Sequence, residues 1–264
     1  MIIYKSEGEI ELMRQSSQIV ARILTELEAM VKPGLKTKEL DSFAETRALE
    51  LGARPAFKGY RGYPASLCTS VNEEIIHGIP STRVLQEGDI LSLDFGAFFE
   101  GFYGDAAITV PVGRVSPLAV KLMATAEEAF YQGIDQMRIG RRLSDISHAI
   151  QRYVEGQGFS VIRSFVGHGI GFSLHEEPQV PNFGPPGRGP RLRQGLTLAI
   201  EPMIAAGDWH EEVLEDGWTA VTKDRSLAAH FEHTVALTAR GVEILTLREG
   251  EKARAVTHEV DRYA

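Results

Sequence analysis

Apolar residues recur at helical spacing near the start of the chain: Ile10, Met13, Val20, Leu24, Leu27 and Val31 share one stripe until Pro33-Gly34 halts it. Ser6 and Glu9 form a capping box ahead of that stripe, so a first helix is predicted there. A second is predicted over 38–51, capped by Thr37 and closed by Gly52. Strand-like residues follow around 66–71, and then comes "LSLDFGAFFEGFYGDAAITV" at 91–110. Its "FEG" is turn chemistry, and the segment reads as a β-hairpin. Ser116-Pro117 pairs an N-cap with an N1 proline and opens a helix to about residue 137; Ser144 opens another, which Gly158 ends. Strand patterns dominate afterwards, in "SVIRSFVGHG", "LTLAIEPMI", "GWTAVTKD" and "AAHFEHTVALT". Two helices then strands, occurring twice, raise the expectation of a duplicated unit. The Gly/Pro/Arg-rich segment 182–195 reads as a surface loop within one domain, and residues 249–264 as a polar tail.

Composition narrows the class. The 264 residues suffice for one large core or two modest ones, and 43% hydrophobic with 24% charged residues is ordinary for a soluble globular chain. A net charge of -8 with no basic run argues against a nucleic-acid surface. The N-terminal residues lack the form of a signal peptide and no stretch is long enough to span a bilayer, so a cytoplasmic protein without membrane partners is expected. The lone Cys68 excludes an internal disulfide framework and a multi-cysteine zinc site.

The hairpin poses a chemical problem, because Asp94 and Asp105 interrupt its apolar run. If the loop holds an even number of residues, centred near Phe99 and Glu100, both lie on one face, opposite or diagonal to each other; an odd loop with no bulge separates them. Apposed carboxylates repel, and burial forces one to take up a proton unless a positive group intervenes. No basic residue lies between Glu87 and Gly113, which favours a shared proton or a divalent metal. Further ligands should also interrupt apolar strands, and three do: His168 in "FVGHGIGF", whose glycines let the backbone turn and leave room for the imidazole, Glu201 in "LTLAIEPMI" and Glu232 in "HFEHTVALT". A single carboxylate in a strand is as often at a solvated edge. Three such coincidences beside the hairpin pair favour a metal centre. Four ionised carboxylates and one imidazole suit two divalent ions roughly 3 to 4 Å apart. Ligand softness favours Mn²⁺, Fe²⁺ or Co²⁺, with Zn²⁺ compatible and Mg²⁺ less suited to histidine.

In this order and spacing, Asp94, Asp105, His168 in "GHGIG", Glu201 in "IEPM" and Glu232 in "FEHT" resemble the type I methionine aminopeptidases. The resemblance extends from "KSEGEIELMRQSSQIVARIL" to "VEILTLR" and includes "YRGYPASLCTSVNEEIIHGIP" and "DGWTAVTKDRSLAAHFEHT". It implies an α+β pita-bread fold: pseudo-symmetric halves with a central curved antiparallel sheet flanked by helices, in one catalytic domain over 1–248. It implies the same five metal ligands, with Asp105 and Glu232 bridging, and His77 and His175 as catalytic histidines outside the ligand set. Phe57, Tyr60, Tyr63, Cys68, Leu174 and Trp218 match the lining of the methionine pocket, which suits a thioether.

The activity implied is metal-dependent removal of N-terminal methionine from nascent chains, near the ribosome exit, by a monomer. Glu201 is the expected proton shuttle, His175 the oxyanion donor and His77 the holder of the substrate amide. His230 departs from the family, where glutamine is usual, and the 182–195 loop is expected to bear on substrate access. His148, His210 and His258 read as solvated, and His233 as structural.

Two rivals are an Xaa-Pro peptidase or creatinase relative, and a non-catalytic ribosome- or RNA-associated protein of the same fold. The first usually carries an extra N-terminal domain, and only 93 residues precede Asp94 here; the second loses ligands that this chain keeps. A type II enzyme carries an insert between the last two glutamates, which are only 31 residues apart in this chain.

Overall fold

The computed structural model describes residues 1–251; the rest of the tail, with His258, lies outside the described residues. Among the described residues four α-helices form close to where the stripe and the capping signals place them. The first, α1 (Glu7–Met30), has the expected Ser6–Glu9 capping box and buries Ile10, Met13, Val20, Leu24 and Leu27. Each such aliphatic side chain contributes about 1.5–3 kcal/mol. The second, α2 (Thr37–Glu50), starts one residue early, with Lys36 at its cap. Thr37 does not cap it because its hydroxyl is taken by Ser81, accepting from the Ser81 N–H at 2.8 Å. The third, α3 (Pro117–Ile134), is capped by Ser116 as expected and ends before residue 137, where the chain tightens through a Gln136 N–H to Gly133 carbonyl bond. The fourth, α4 (Leu143–Gly156), is capped by Arg142, because Ser144 Oγ accepts instead from the Arg188 N–H at 2.7 Å.

The main sheet is antiparallel throughout. It runs in the order Arg54–Pro55, Ile90–Phe99, Phe102–Pro111, Glu232–Thr238, Thr197–Ile200, Gly167–Gly169, Glu176–Val180. Cys68–Val71 also pairs with Ile90–Phe99, and Gly241–Ile244 with Glu232–Thr238. Helix α1 packs on the hairpin and on α2, while α3 packs on α4 and α4 on Ser160–Val161. The largest core cluster joins both halves through Leu24, Phe95, Phe130, Leu198 and Val235.

Three segments read as single strands are broken in the structure. "LTLAIEPMI" divides into Thr197–Ile200 and Met203–Ala205, and "AAHFEHTVALT" into Ala228–His230 and Glu232–Thr238. In both, one piece belongs to the main sheet and the other to a three-stranded sheet. "SVIRSFVGHG" divides likewise into Ser160–Val161 and Gly167–Gly169. Pro202, without an N–H, cannot continue the main-sheet ladder, and its carbonyl accepts from the Phe231 N–H where the facing strand also breaks.

Candidate active site

The hairpin turn is the two-residue Glu100-Gly101, both at positive φ (49° and 89°), which matches the twist of the strands it joins. The loop is even-numbered, so Asp94 and Asp105 share a face, but its centre lies one residue further on than expected. Asp94 therefore faces Ala107 and Asp105 faces Gly96, a diagonal pair. Gly96 is required there: a Cβ would lie 2.8 Å from Phe57 Cε1 and 3.3 Å from Asp105 Oδ1.

The other three candidate ligands come from the second half. Glu201 follows Thr197–Ile200 at the sheet break, with its carbonyl held by the side-chain N–H of the buried Asn182 at 2.9 Å. Glu232 opens the strand after the opposing break. His168 sits mid-strand, paired to Ala199. Its flanking glycines serve close packing and not a turn, since a Cβ at Gly167 or Gly169 would lie 2.4 or 2.3 Å from a neighbouring strand's carbonyl oxygen. Neither has positive φ.

These five groups are 2–7% exposed. His168 Nε2 lies 3.6 Å from Glu201 Oε1 and 4.0 Å from Asp105 Oδ2. His168 Nδ1 stands 2.9 Å from the Gly169 carbonyl and donates to it, which leaves the Nε2 lone pair facing the carboxylates. Burial pushes Asp94 up to about 7, and drives Asp105, Glu201 and Glu232 well above the usual carboxylate range, reinforced by their mutual repulsion. Among the described residues, no Lys or Arg forms an ion pair with any of the four. Asp94 Oδ1, Asp105 Oδ1 and Glu232 Oε1 are buried without a hydrogen-bond partner. Donor atoms of Asp105, His168 and Glu232 lie within 4.8 Å of one another. An oxygen-rich, underneutralised cluster of this kind fits divalent cations.

Every candidate ligand, catalytic and substrate-contacting residue singled out in the sequence lines one cleft, with an open volume of about 620 Å³. Phe57, Tyr60, Tyr63, Cys68, Leu174 and Trp218 form its less polar wall. The Tyr63 hydroxyl donates toward the Leu67 and Gly78 carbonyls, and its ring meets Trp218 edge-on at 5.2 Å. Cys68 faces Asp94 across the sheet, and burial together with Asp94 raises its thiol, so it remains neutral.

His175 stacks on Tyr60 at 5.2 Å and stands 4.2 Å from the His168 ring. His77 adopts φ 61° and contacts Phe165 and Trp218 edge-on. Desolvation lowers half-buried His77 to about 4; desolvation, with His168 and Arg61 nearby, lowers His175 to about 3 although its edge is exposed, so both are neutral at pH 7. A β-region residue at position 77 would aim this imidazole elsewhere, and the left-handed backbone is the kind of strain that functional sites retain.

Arg61, inside "YRGYP", and Ile76 also line the cleft without having been singled out. The buried Lys5 was also missed: it pairs with Glu176 beside His175, a contact that only the tertiary fold creates. Loop 182–195 contributes nothing to the cleft lining. It is pinned to α4 through Asp145 and Ser144, and Asn182 supports Glu201 from behind. His148 is half-buried, with Nδ1 3.1 Å from the Gly184 carbonyl, which corrects its solvated reading. His210 is exposed and pairs with Asp208. His233 is fully buried against Phe130 and Phe231.

A buried carboxylate–imidazole centre on an antiparallel sheet is the setting of a metal-dependent hydrolase. The model of metallopeptidase family M24 matches residues 11–239, and the chain belongs to that family. It is 54% identical over 250 residues to a methionine aminopeptidase of Clostridium acetobutylicum, covering 94% of this chain and 100% of the relative. It is 52% identical over 246 residues to methionine aminopeptidase 1 of Bacillus subtilis, covering 93% and 99%. The crystal structure of a Thermotoga maritima methionine aminopeptidase superimposes with a TM-score of 0.92 at 48% identity, over 93% of this chain and 99% of that one. The fold is thus the α+β pita-bread arrangement expected, a curved antiparallel sheet flanked by helices.

Proposed function

We propose that this chain removes methionine from the N-termini of polypeptides, using divalent ions that Asp94, Asp105, His168, Glu201 and Glu232 would hold. The observation that carries this reading is the convergence of four buried carboxylates, without a Lys or Arg ion pair among the described residues, beside a cleft wall of aromatic, aliphatic and thiol groups. Relatives named methionine aminopeptidase, matched over nearly their whole lengths, support it. The donor set favours Co²⁺, Mn²⁺ or Fe²⁺, with Zn²⁺ compatible.

Bound divalent ions supply Lewis-acid polarisation of the scissile carbonyl and acidify the attacking water. The chain's own residues do the rest. Glu201 takes the proton from water and passes it to the leaving amine. Neutral His175 donates its ring N–H to the developing oxyanion, oriented by stacking on Tyr60. His77 holds the amide beyond the scissile bond. Tyr63, Cys68 and Trp218 receive the methionine side chain, as Phe57, Tyr60 and Leu174 do from the other walls.

The substrates are nascent chains with a small second residue, met near the ribosome exit in the cytoplasm by a monomer that contacts neither nucleic acid nor membrane. No helix among the described residues is long and apolar enough to cross a bilayer. An Xaa-Pro peptidase of the same fold is the competing reading. Assay of Met-Ala-Ser, Met-Leu-Ser and Ala-Pro peptides separates them: rapid release of methionine from the first alone is expected, and preferred cleavage of Ala-Pro overturns the proposal.

A further inference from the structure

The five expected donors do not exhaust the cluster. His230 ends the strand Ala228–His230, is 1% exposed, and points its ring at two of the carboxylates. Its Nε2 lies 3.7 Å from Glu201 Oε2 and 3.8 Å from Glu232 Oε2. Neither ring nitrogen has a hydrogen-bond partner, although buried imidazoles are nearly always satisfied. The spacing is too long for a hydrogen bond and right for shared coordination: two donor atoms each about 2.1 Å from one ion lie roughly 3 to 4 Å apart. His168 repeats it on the other oxygen of the same carboxylate, 3.6 Å from Glu201 Oε1. Two imidazoles thus flank Glu201, one at each oxygen.

The backbone of His230 is fixed from the first half of the molecule. Thr109, on the strand that carries Asp105, accepts from the His230 N–H at 2.9 Å and donates to its carbonyl at 2.8 Å. Ser92 in turn contacts the Thr109 hydroxyl at 2.8 Å. The backbone at His230 is therefore held in register with the strand that carries Asp105.

We infer that His230 is a sixth protein donor of the metal centre, binding through Nε2 an ion that Glu201 and Glu232 also hold. This rests on the five-donor reading above and adds to it. A second nitrogen makes the centre softer than an arrangement with one imidazole, and raises its preference for Co²⁺ or Zn²⁺ over Mn²⁺.

Proton NMR of the cobalt-loaded protein decides the point, because an imidazole bound to Co²⁺ gives a strongly shifted, solvent-exchangeable ring N–H resonance. Two such resonances are expected in the unaltered protein with ¹⁵N-labelled histidine. His230→Gln should keep one, still take up cobalt, and bind it with an affinity lower by about tenfold or more. A single resonance in the unaltered protein overturns the assignment without any variant. Cobalt bound with both resonances intact in His230→Gln also overturns it, and either result leaves the five-donor reading standing. No cobalt uptake by the unaltered protein overturns both.

Discussion

The two halves of the molecule deliver acidic groups to the same point by different means. In the first half, Asp94 and Asp105 sit inside two continuous ten-residue strands, and a tight turn with its register sets their spacing. In the second half, Glu201 and Glu232 sit where strands leave one sheet for another, and His168 rides a three-residue strand. The hairpin can hold its pair locally. The second half needs distant support, from Asn182 behind Glu201 and from Thr109 beneath His230. Local register is robust to distant changes, whereas groups at chain breaks depend on everything packed against the break.

The largest effect should come from removing a proposed ligand of either half. Asp94→Ala and His168→Ala should each lose bound metal and have no detectable turnover while circular dichroism stays near that of the unaltered protein. Equal turnover in chelator-treated Asp94→Ala protein would show that the hairpin pair serves no ion. Next in size, His175→Ala should lower kcat by about 10²-fold with metal content unchanged, if its proposed role is that of an oxyanion donor and not of a ligand. Metal analysis of both histidine variants separates the two roles.

Gly96→Ala tests how tightly the hairpin is built. The added methyl meets Phe57 and Asp105, and a loss of about 1–3 kcal/mol in urea unfolding is expected, with weaker metal binding. Unchanged stability would mean that the opposing wall yields freely.

A pH series probes both halves together. The raised carboxylates keep protons in the folded state that the unfolded chain releases above about pH 4, so each lowers stability as pH rises toward its folded value. The buried His168, His230 and His233, lowered to about 3 or 4, act in the opposite sense, but their effect is complete once the unfolded imidazole has titrated, above about pH 6.5. Metal-free protein should therefore lose stability as pH rises through about 7, the folded value of Asp94, and saturating Co²⁺ should remove the decline. Denaturant midpoints across that rise measure it, and a flat profile without metal would contradict the charge balance described. The smallest effect is expected for Ser144→Ala, about 1 kcal/mol, through its bond to the supporting loop.

The same contrast explains what could be read from the chain. The hairpin, the helices and the five acidic or imidazole interruptions of apolar strands follow from periodicity and parity. The helix caps at Thr37 and Ser144 were misplaced because their hydroxyls are captured by residues 44 positions away in sequence. The divided strands were missed because Pro202 and Phe231 redirect the chain only in relation to each other. Lys5 beside Glu176 carries no local pattern, and His230 stands out in the sequence only as a departure from the family, its place beside Glu201 being a product of the tertiary arrangement.

The most direct test of the account is release of free methionine from Met-Ala-Ser by protein stripped of metal and titrated with Co²⁺. The account predicts no release before addition, and release that rises to a plateau by about two equivalents per chain. Full release by the stripped protein in the presence of chelator would contradict it.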